Sequence, residues 1–284
     1  MATIHPTALV SPRAHLGAGV YIGPFAIVED DVLIGDGCRI EARATIKSGT
    51  VMGPDNHVFE GACLGGYPQH LRAGPVIGGV RIGARNQIRE FVTIHRAVTP
   101  GANTEVGDDN MIMVGVHIAH DCRIGNHTIM ANAVLLAGHV EVQDRAYLSG
   151  AVAVHQFCRI GRCAMVGGQS HITRDVPPYV TVDGETSRVV GLNLIGLKRA
   201  GYTAEQIVQL KQAYRLIYRS DKPWLTILSE LRRLFADGPA AEYNVFFASC
   251  SRGIVPERRR MPAMLRIADF RDDTDQDHSE RLAG

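Results

Sequence analysis

Four histidines and one aspartate are the residues best able to do chemistry: His117, His120, Asp121, His139 and His155. A neutral imidazole can ligate a metal such as zinc. It can also act as a general base that titrates near neutral pH and takes a proton from a hydroxyl or an amine. Acyl transfer needs, besides the base, a donor for the oxyanion that develops on the attacked carbonyl. The stretch Ala137-Gly138-His139 offers the Gly138 N–H for that. The chain has no G-x-S-x-G motif, so direct attack by an acceptor is simpler than an acyl-enzyme. Taken singly, each histidine reads more simply as a polar turn residue. Four around one carboxylate point to function, with zinc ligation and base catalysis both open.

These residues are far apart in sequence, so some periodic element must bring them together. Stepping by six from Ile4 lands on Val10, Leu16, Ile22 and Val28, and so on to Ile172, with Ile, Leu, Val or Met in 27 of 29 slots. The exceptions are His70 and Pro100. One aliphatic per six residues cannot make an amphipathic helix, whose apolar stripe recurs every three to four residues. It suits short strands joined by tight turns, three to a triangular coil of about 18 residues, with coils stacked at roughly 4.8 Å. The residue after the aliphatic is often glycine, as at Gly17, Gly23, Gly35, Gly53, Gly125 and Gly161, which suggests corners needing unusual dihedrals.

Positions 18 apart then lie above one another. His139 is 18 residues from Asp121 and 19 from His120, His155 is 16 from His139, and His117 lies three before His120. All four histidines are expected along one edge of three successive coils, roughly 5 to 10 Å apart. The rhythm breaks at 66–79 and at about 97–105, which are expected to be loops leaving a rigid scaffold, where binding residues tend to sit.

After Ile172, Pro177-Pro178 is expected to close the helix. From about Gly191 the pattern becomes α-helical: Thr203 and Gln206 form a capping-box pair, followed by Ile207, Leu210, Tyr214 and Ile217, then Trp224, Leu228, Leu231 and Phe235. Three regions follow: a β-helix over 1–182 carrying the site, a small α-helical domain over 183–253, and a flexible polar tail over 254–284. A formal charge of +1 argues against a nucleic-acid or membrane-surface partner. The six cysteines are scattered without a C-x-x-C pair, and no secretory leader or membrane-length apolar run is seen. A soluble cytoplasmic protein with reduced thiols is expected.

The repeat resembles that of the hexapeptide acyltransferases, and this resemblance supplies the left hand of the parallel β-helix. Five longer motifs narrow it: Val116-His117-Ile118-Ala119-His120-Asp121-Cys122, Leu136-Ala137-Gly138-His139-Val140, Val154-His155-Gln156-Phe157, Asp175-Val176-Pro177-Pro178-Tyr179-Val180 and Gly196-Leu197-Lys198-Arg199. In this order, over about residues 4 to 253, they resemble the UDP-N-acetylglucosamine O-acyltransferases. That family opens lipid A synthesis with a 3-hydroxyacyl chain carried on acyl carrier protein.

The resemblance implies roles residue by residue. His120 would be the base that deprotonates the sugar 3-hydroxyl, Asp121 would orient it, and Gly138 would stabilise the oxyanion. His117, His139, His155 and Gln156 would contact sugar, phosphate or thioester groups. Gln69, His70 and Arg72 would lie near the acceptor sugar and acyl hydroxyl, Asn193 and Arg199 would hold the nucleotide, and Gly168 would set acyl length, its missing side chain favouring a longer chain. No cofactor or metal is implied, and a homotrimer with sites between subunits is. Arg85, Arg89, Arg96, Arg123 and Arg159 are candidate docking charges for the acidic carrier. The chain departs from the family at Gln69-His70-Leu71-Arg72, where Gln-Asp-Leu-Lys is usual, and at Ile195 and Ala200, where a glutamate and a second arginine are usual. Acylation of a 3-amino sugar, a zinc site resembling gamma-class carbonic anhydrases, and an inactive scaffold remain alternatives.

Overall fold

The computed structural model describes residues 1–258. Short parallel strands wind through three faces in strict rotation, giving sheets of 11, 9 and 8 strands. Most neighbouring strands are offset by 18 residues, as in Tyr21↔Arg39 on the first face, Leu135↔Ala153 on the second and Glu141↔Arg159 on the third. This is the parallel β-helix with hexapeptide repeat expected from the aliphatic period. The slot residues Ile22, Ile34, Ile40, Ile46, Leu64 and Ile88 are almost fully buried in one continuous column. Each such side chain contributes about 1.5–3 kcal/mol on burial.

The two breaks in the rhythm are insertions of whole hexads. His57 pairs with Gln87, an offset of 30, and Gln87 with Met111, an offset of 24. The extra 12 and 6 residues are multiples of six, so the aliphatic phase resumes after each. Val76 occupies a slot by count alone, lying 68% exposed in the first insertion. The second insertion is shorter than expected, because Asn103–Val106 is a strand of the third face paired with Gly79–Ile82.

The glycines after the aliphatic serve a different purpose from the one expected. A Cβ at Gly35 would lie 2.6 Å from the Gly53 backbone, and one at Gly53 would lie 2.8 Å from the Gly83 carbonyl oxygen. They permit close stacking of coils. The left-handed corner falls two residues later, at Gly19, Gly37 and Gly115, and equally at Phe25, Asp31, Asp121, His139 and Phe157. Such a conformation costs a non-glycine residue about 1–2 kcal/mol, an expense borne by the stacked hydrogen bonds around it.

The winding continues past Pro177-Pro178. Val176 bridges Ile160, and Val180–Val182 pairs with Met165 and Val166 before turning back antiparallel to Val189–Leu192. The expected division between residues 182 and 183 therefore falls inside a hairpin. Among the described residues four α-helices follow: α1 Leu194–Arg199, α2 Ala204–Arg219, α3 Trp224–Leu234 and α4 Glu242–Ala248. Thr203 and Gln206 form the capping box of α2, whose Ile207, Leu210, Tyr214 and Ile217 are buried. Of the expected stripe, Leu231 and Phe235 are buried and Leu228 is half-buried, while Trp224 is 40% exposed and Ile227 is buried in addition.

The start of the expected flexible tail is held in place. Ile254 bridges Asp175, Glu257 bridges Val189, Val255 is buried, and the Tyr214 hydroxyl donates to Glu257 at 2.6 Å. The rest of that segment, 259–284, lies outside the described residues. Among the described residues, no helix is long and apolar enough to cross a membrane.

Candidate active site

Both insertions and the histidine cluster occupy one corner of the prism, where the chain passes from the second face to the third. The first insertion leaves Cys63–Gly66 for Gly79–Ile82, and the second leaves Thr93–His95 for Asn103–Val106. The next coils turn this corner through His120-Asp121, Gly138-His139 and Gln156-Phe157. A six-residue repeat thus delivers five consecutive coils to a single edge. The corner is built by stacking: His139 N–H donates to the His120 carbonyl at 3.0 Å, and Phe157 N–H donates to the Gly138 carbonyl at 3.1 Å.

His120 is buried at the centre of this edge. Its Nδ1 lies 2.7 Å from Asp121 Oδ2. An ionised carboxylate only accepts hydrogen bonds, so Nδ1 carries the proton and Nε2 of the neutral ring is left as a base. Asp121 is itself fixed: its N–H donates to Thr104 Oγ1 at 2.8 Å, and the Val98 N–H donates to its Oδ2 at 3.2 Å. The free edge of the ring faces Gly138, where a Cβ would come within 2.6 Å of His120 Nε2. Among the described residues the Gly138 N–H donates to no protein acceptor. A base nitrogen and an unspent backbone donor therefore share one space.

Other rings surround this pair. His139 meets His120 edge to face at 5.2 Å between centroids and stacks on Phe157 at 4.6 Å. His70, from the first insertion, meets His120 at 5.1 Å. Its Nδ1 accepts from the Arg72 N–H at 3.1 Å. That insertion is shaped by the Tyr67 hydroxyl, which donates to the Gly74 carbonyl at 2.9 Å, and by His95 Nδ1, which donates to the Tyr67 carbonyl at 2.6 Å. His117 lies on the second face, 2.8 Å from Thr93 Oγ1, with its ring 5.1 Å from that of His95. Burial pushes His117 down to about 4, and the neighbouring His95 and His120 add to the effect. Burial also lowers His95 and His139, the latter opposed by the Asp121 carboxylate.

Of the four histidines placed together by the 18-residue coil, His120 and His139 are in ring contact, and His117 lies beside them through His95. His155 is exposed one coil further on, its Nδ1 donating to the Gln156 carbonyl at 3.1 Å. Gln69, Arg72 and Gln156 are exposed at the same corner. Gly168 and Asn193 are not. Gly168 lies at the corner between the first and second faces, and Asn193 at the corner between the third and first. Asn193 caps α1 by accepting from the Gly196 N–H and donates to the Cys163 carbonyl at 2.9 Å, so both ends of its amide are occupied within the chain. Arg199 is exposed in the last turn of α1. Arg159 is removed from the docking charges by its surroundings: it pairs with buried Asp175 at 2.9 Å and lies over the Phe246 ring.

Three further residues of the site lie outside the set expected from the sequence. His95 joins through the 24-residue offset created by the second insertion. Phe157 was within reach, being 18 residues after His139 at the same left-handed corner. Thr104, in the strand after the second insertion, anchors Asp121.

Comparison with known proteins decides the family. The profile described as Udp N-acetylglucosamine O-acyltransferase; Domain 2 matches residues 175–255, and that for the bacterial transferase hexapeptide (six repeats) matches 13–48 and 103–138. A Synechocystis protein named acyl-(acyl-carrier-protein)--UDP-N-acetylglucosamine O-acyltransferase is 45% identical over 262 residues, covering 90% of this chain and 95% of its own length. The chain belongs to the UDP-N-acetylglucosamine O-acyltransferase family. A relative of the same name from Verminephrobacter eiseniae is 45% identical over 90% of this chain and 100% of its own. The solved structure of the Francisella novicida UDP-N-acetylglucosamine acyltransferase superposes with a TM-score of 0.87 at 32% identity, covering 93% of this chain and 99% of that one. The family thus spans both the coils and the helices described above.

Proposed function

We propose that this chain transfers a 3-hydroxyacyl group from acyl carrier protein to the 3-hydroxyl of UDP-N-acetylglucosamine, the step that opens lipid A biosynthesis. The observation that carries the mechanism is the seating of His120, with Nδ1 bound to Asp121 and Nε2 against Gly138. His120 Nε2 takes the hydroxyl proton as the oxygen attacks the thioester carbonyl. The Gly138 N–H stabilises the oxyanion. Collapse breaks the C–S bond, and the imidazolium returns its proton to the departing thiolate. Asp121 holds the tautomer and stabilises the imidazolium.

His70, Gln69, Arg72, His117, His139, His155 and Gln156 form the surrounding pocket for sugar, phosphate and acyl groups. Gly168, Asn193 and Arg199 lie at other corners, so they reach this pocket only from a neighbouring copy. Our reading of the assembly is a homotrimer of left-handed β-helices with sites between subunits, acting in the cytoplasm. In it Arg199 would bind nucleotide phosphate and Gly168 would leave room for a long acyl chain. The test is mass spectrometry of UDP-N-acetylglucosamine incubated with the chain and 3-hydroxyacyl carrier proteins of graded length. One acyl group on the sugar oxygen is expected. An unmodified sugar with every donor would refute the proposal.

A further inference from the structure

We propose that His120, Asp121 and His139, with His70 as a fourth donor, form a zinc site that competes with base catalysis. The ligand atoms of His120, Asp121 and His139 lie within 4.8 Å of one another. Asp121 Oδ2 is 2.7 Å from His120 Nδ1 and 3.8 Å from His139 Nε2. Tetrahedral zinc with ligands near 2.0–2.1 Å separates its donors by about 3.4 Å, between these two values. These two edges lie within an ångström of that separation, and the third, between His120 and His139, is no longer than 4.8 Å.

The surroundings also suit a metal. The Asp121 carboxylate accepts from the Val98 N–H and its backbone is pinned by Thr104 Oγ1, so the ligand is oriented by hydrogen bonds outside the donor set. His70 meets the His120 ring at 5.1 Å from an exposed position in the first insertion; its Nδ1 is held by the Arg72 N–H, which leaves Nε2 as the fourth donor.

The same geometry explains competition. A metal on Nδ1 takes that lone pair, so the single proton of the neutral ring resides on Nε2. Nε2 then has no lone pair for the acceptor hydroxyl. Acyl transfer stops while the metal is bound, and chelation restores it.

The experiment is a Co²⁺ titration of the full chain, followed by displacement with Zn²⁺. One Co²⁺ per chain with the intense visible spectrum of four-coordinate cobalt is expected. His139→Ala should weaken binding by about 100-fold and His70→Ala by about tenfold, since even outer-layer changes cost about 10–100-fold. Alanine already occupies the equivalent left-handed corner at Ala133 and Ala151, so His139→Ala is compatible with folding. The pale spectrum of six-coordinate cobalt, or unchanged affinity in His139→Ala, would overturn the site. The inhibition arm rests on the proposed acyl transfer. Full activity of the zinc-loaded chain would overturn the competition alone. Inactivity of the metal-free chain would overturn the acyl-transfer reading together with the competition, leaving the cobalt result to decide the site.

Discussion

Gly138→Ala isolates the seating of the base from every other property of the corner. The new Cβ would stand 2.6 Å from His120 Nε2, and closer still to Cε1. Carbon contacts are ordinarily about 3.5–4.0 Å, so the ring must retreat by roughly 1 Å. A misplacement of that size costs about 10²-fold in rate. The fold has little to lose. The glycine lies outside the left-handed region, so alanine contributes about 0.4–1 kcal/mol through the unfolded chain. A displaced ring costs about 0.5–1.5 kcal/mol. These offset one another, and Tm should stay close to the parent value. The backbone N–H is kept, so the oxyanion donor is not removed. The assay is single-turnover acyl transfer beside thermal unfolding. A rate within about threefold of the parent, less than 1 kcal/mol of barrier, would refute the seating argument.

Three further outcomes follow from the same geometry. Asp121→Asn should lower the transfer rate by about 10²–10⁴-fold at constant Tm, because an amide no longer fixes the proton on His120 Nδ1; an unchanged rate would remove Asp121 from the mechanism. His117 titrates near 4 in the folded chain against 6.5 in its unperturbed form, so the unfolded chain takes the proton first and stability falls as pH drops through that window, with no contribution above it. His117→Gln should flatten the decline of Tm between about pH 6.5 and 4, and an equally steep decline would contradict the assignment. Asn193→Ala should cost about 1–2 kcal/mol in urea unfolding through loss of the α1 cap, and no change would show that both its hydrogen bonds are dispensable.

The fold was legible because its signal is metric: a coil of three hexads forces an aliphatic into every sixth position, and a missed slot at His70 or Pro100 marks chain that leaves the coil. The cluster was legible for the same reason, Asp121 and His139 being one coil apart. Other features depend on what the hexad count cannot express. His95 reaches His117 only because the second insertion changes the local offset to 24. The glycines after each aliphatic reflect contact between coils, whereas left-handed corners accept Phe25, Asp121 or His139 because stacking overrides their own preference. Arg159 reads as a surface charge until Asp175 and Phe246 are seen to enclose it. Asn193 has a structural duty that its motif does not announce, its amide capping α1 and donating to the Cys163 carbonyl. In each case the deciding partner is distant in sequence or set by an insertion.

The most direct measurement is the single-turnover rate of acyl transfer from 3-hydroxyacyl carrier protein to UDP-N-acetylglucosamine for His120→Ala, taken beside its unfolding curve. Loss of the Nε2 base should reduce the rate by about 10²–10⁴-fold while Tm stays near the parent value. A folded variant that transfers at the parent rate would contradict the assignment of His120 as the base.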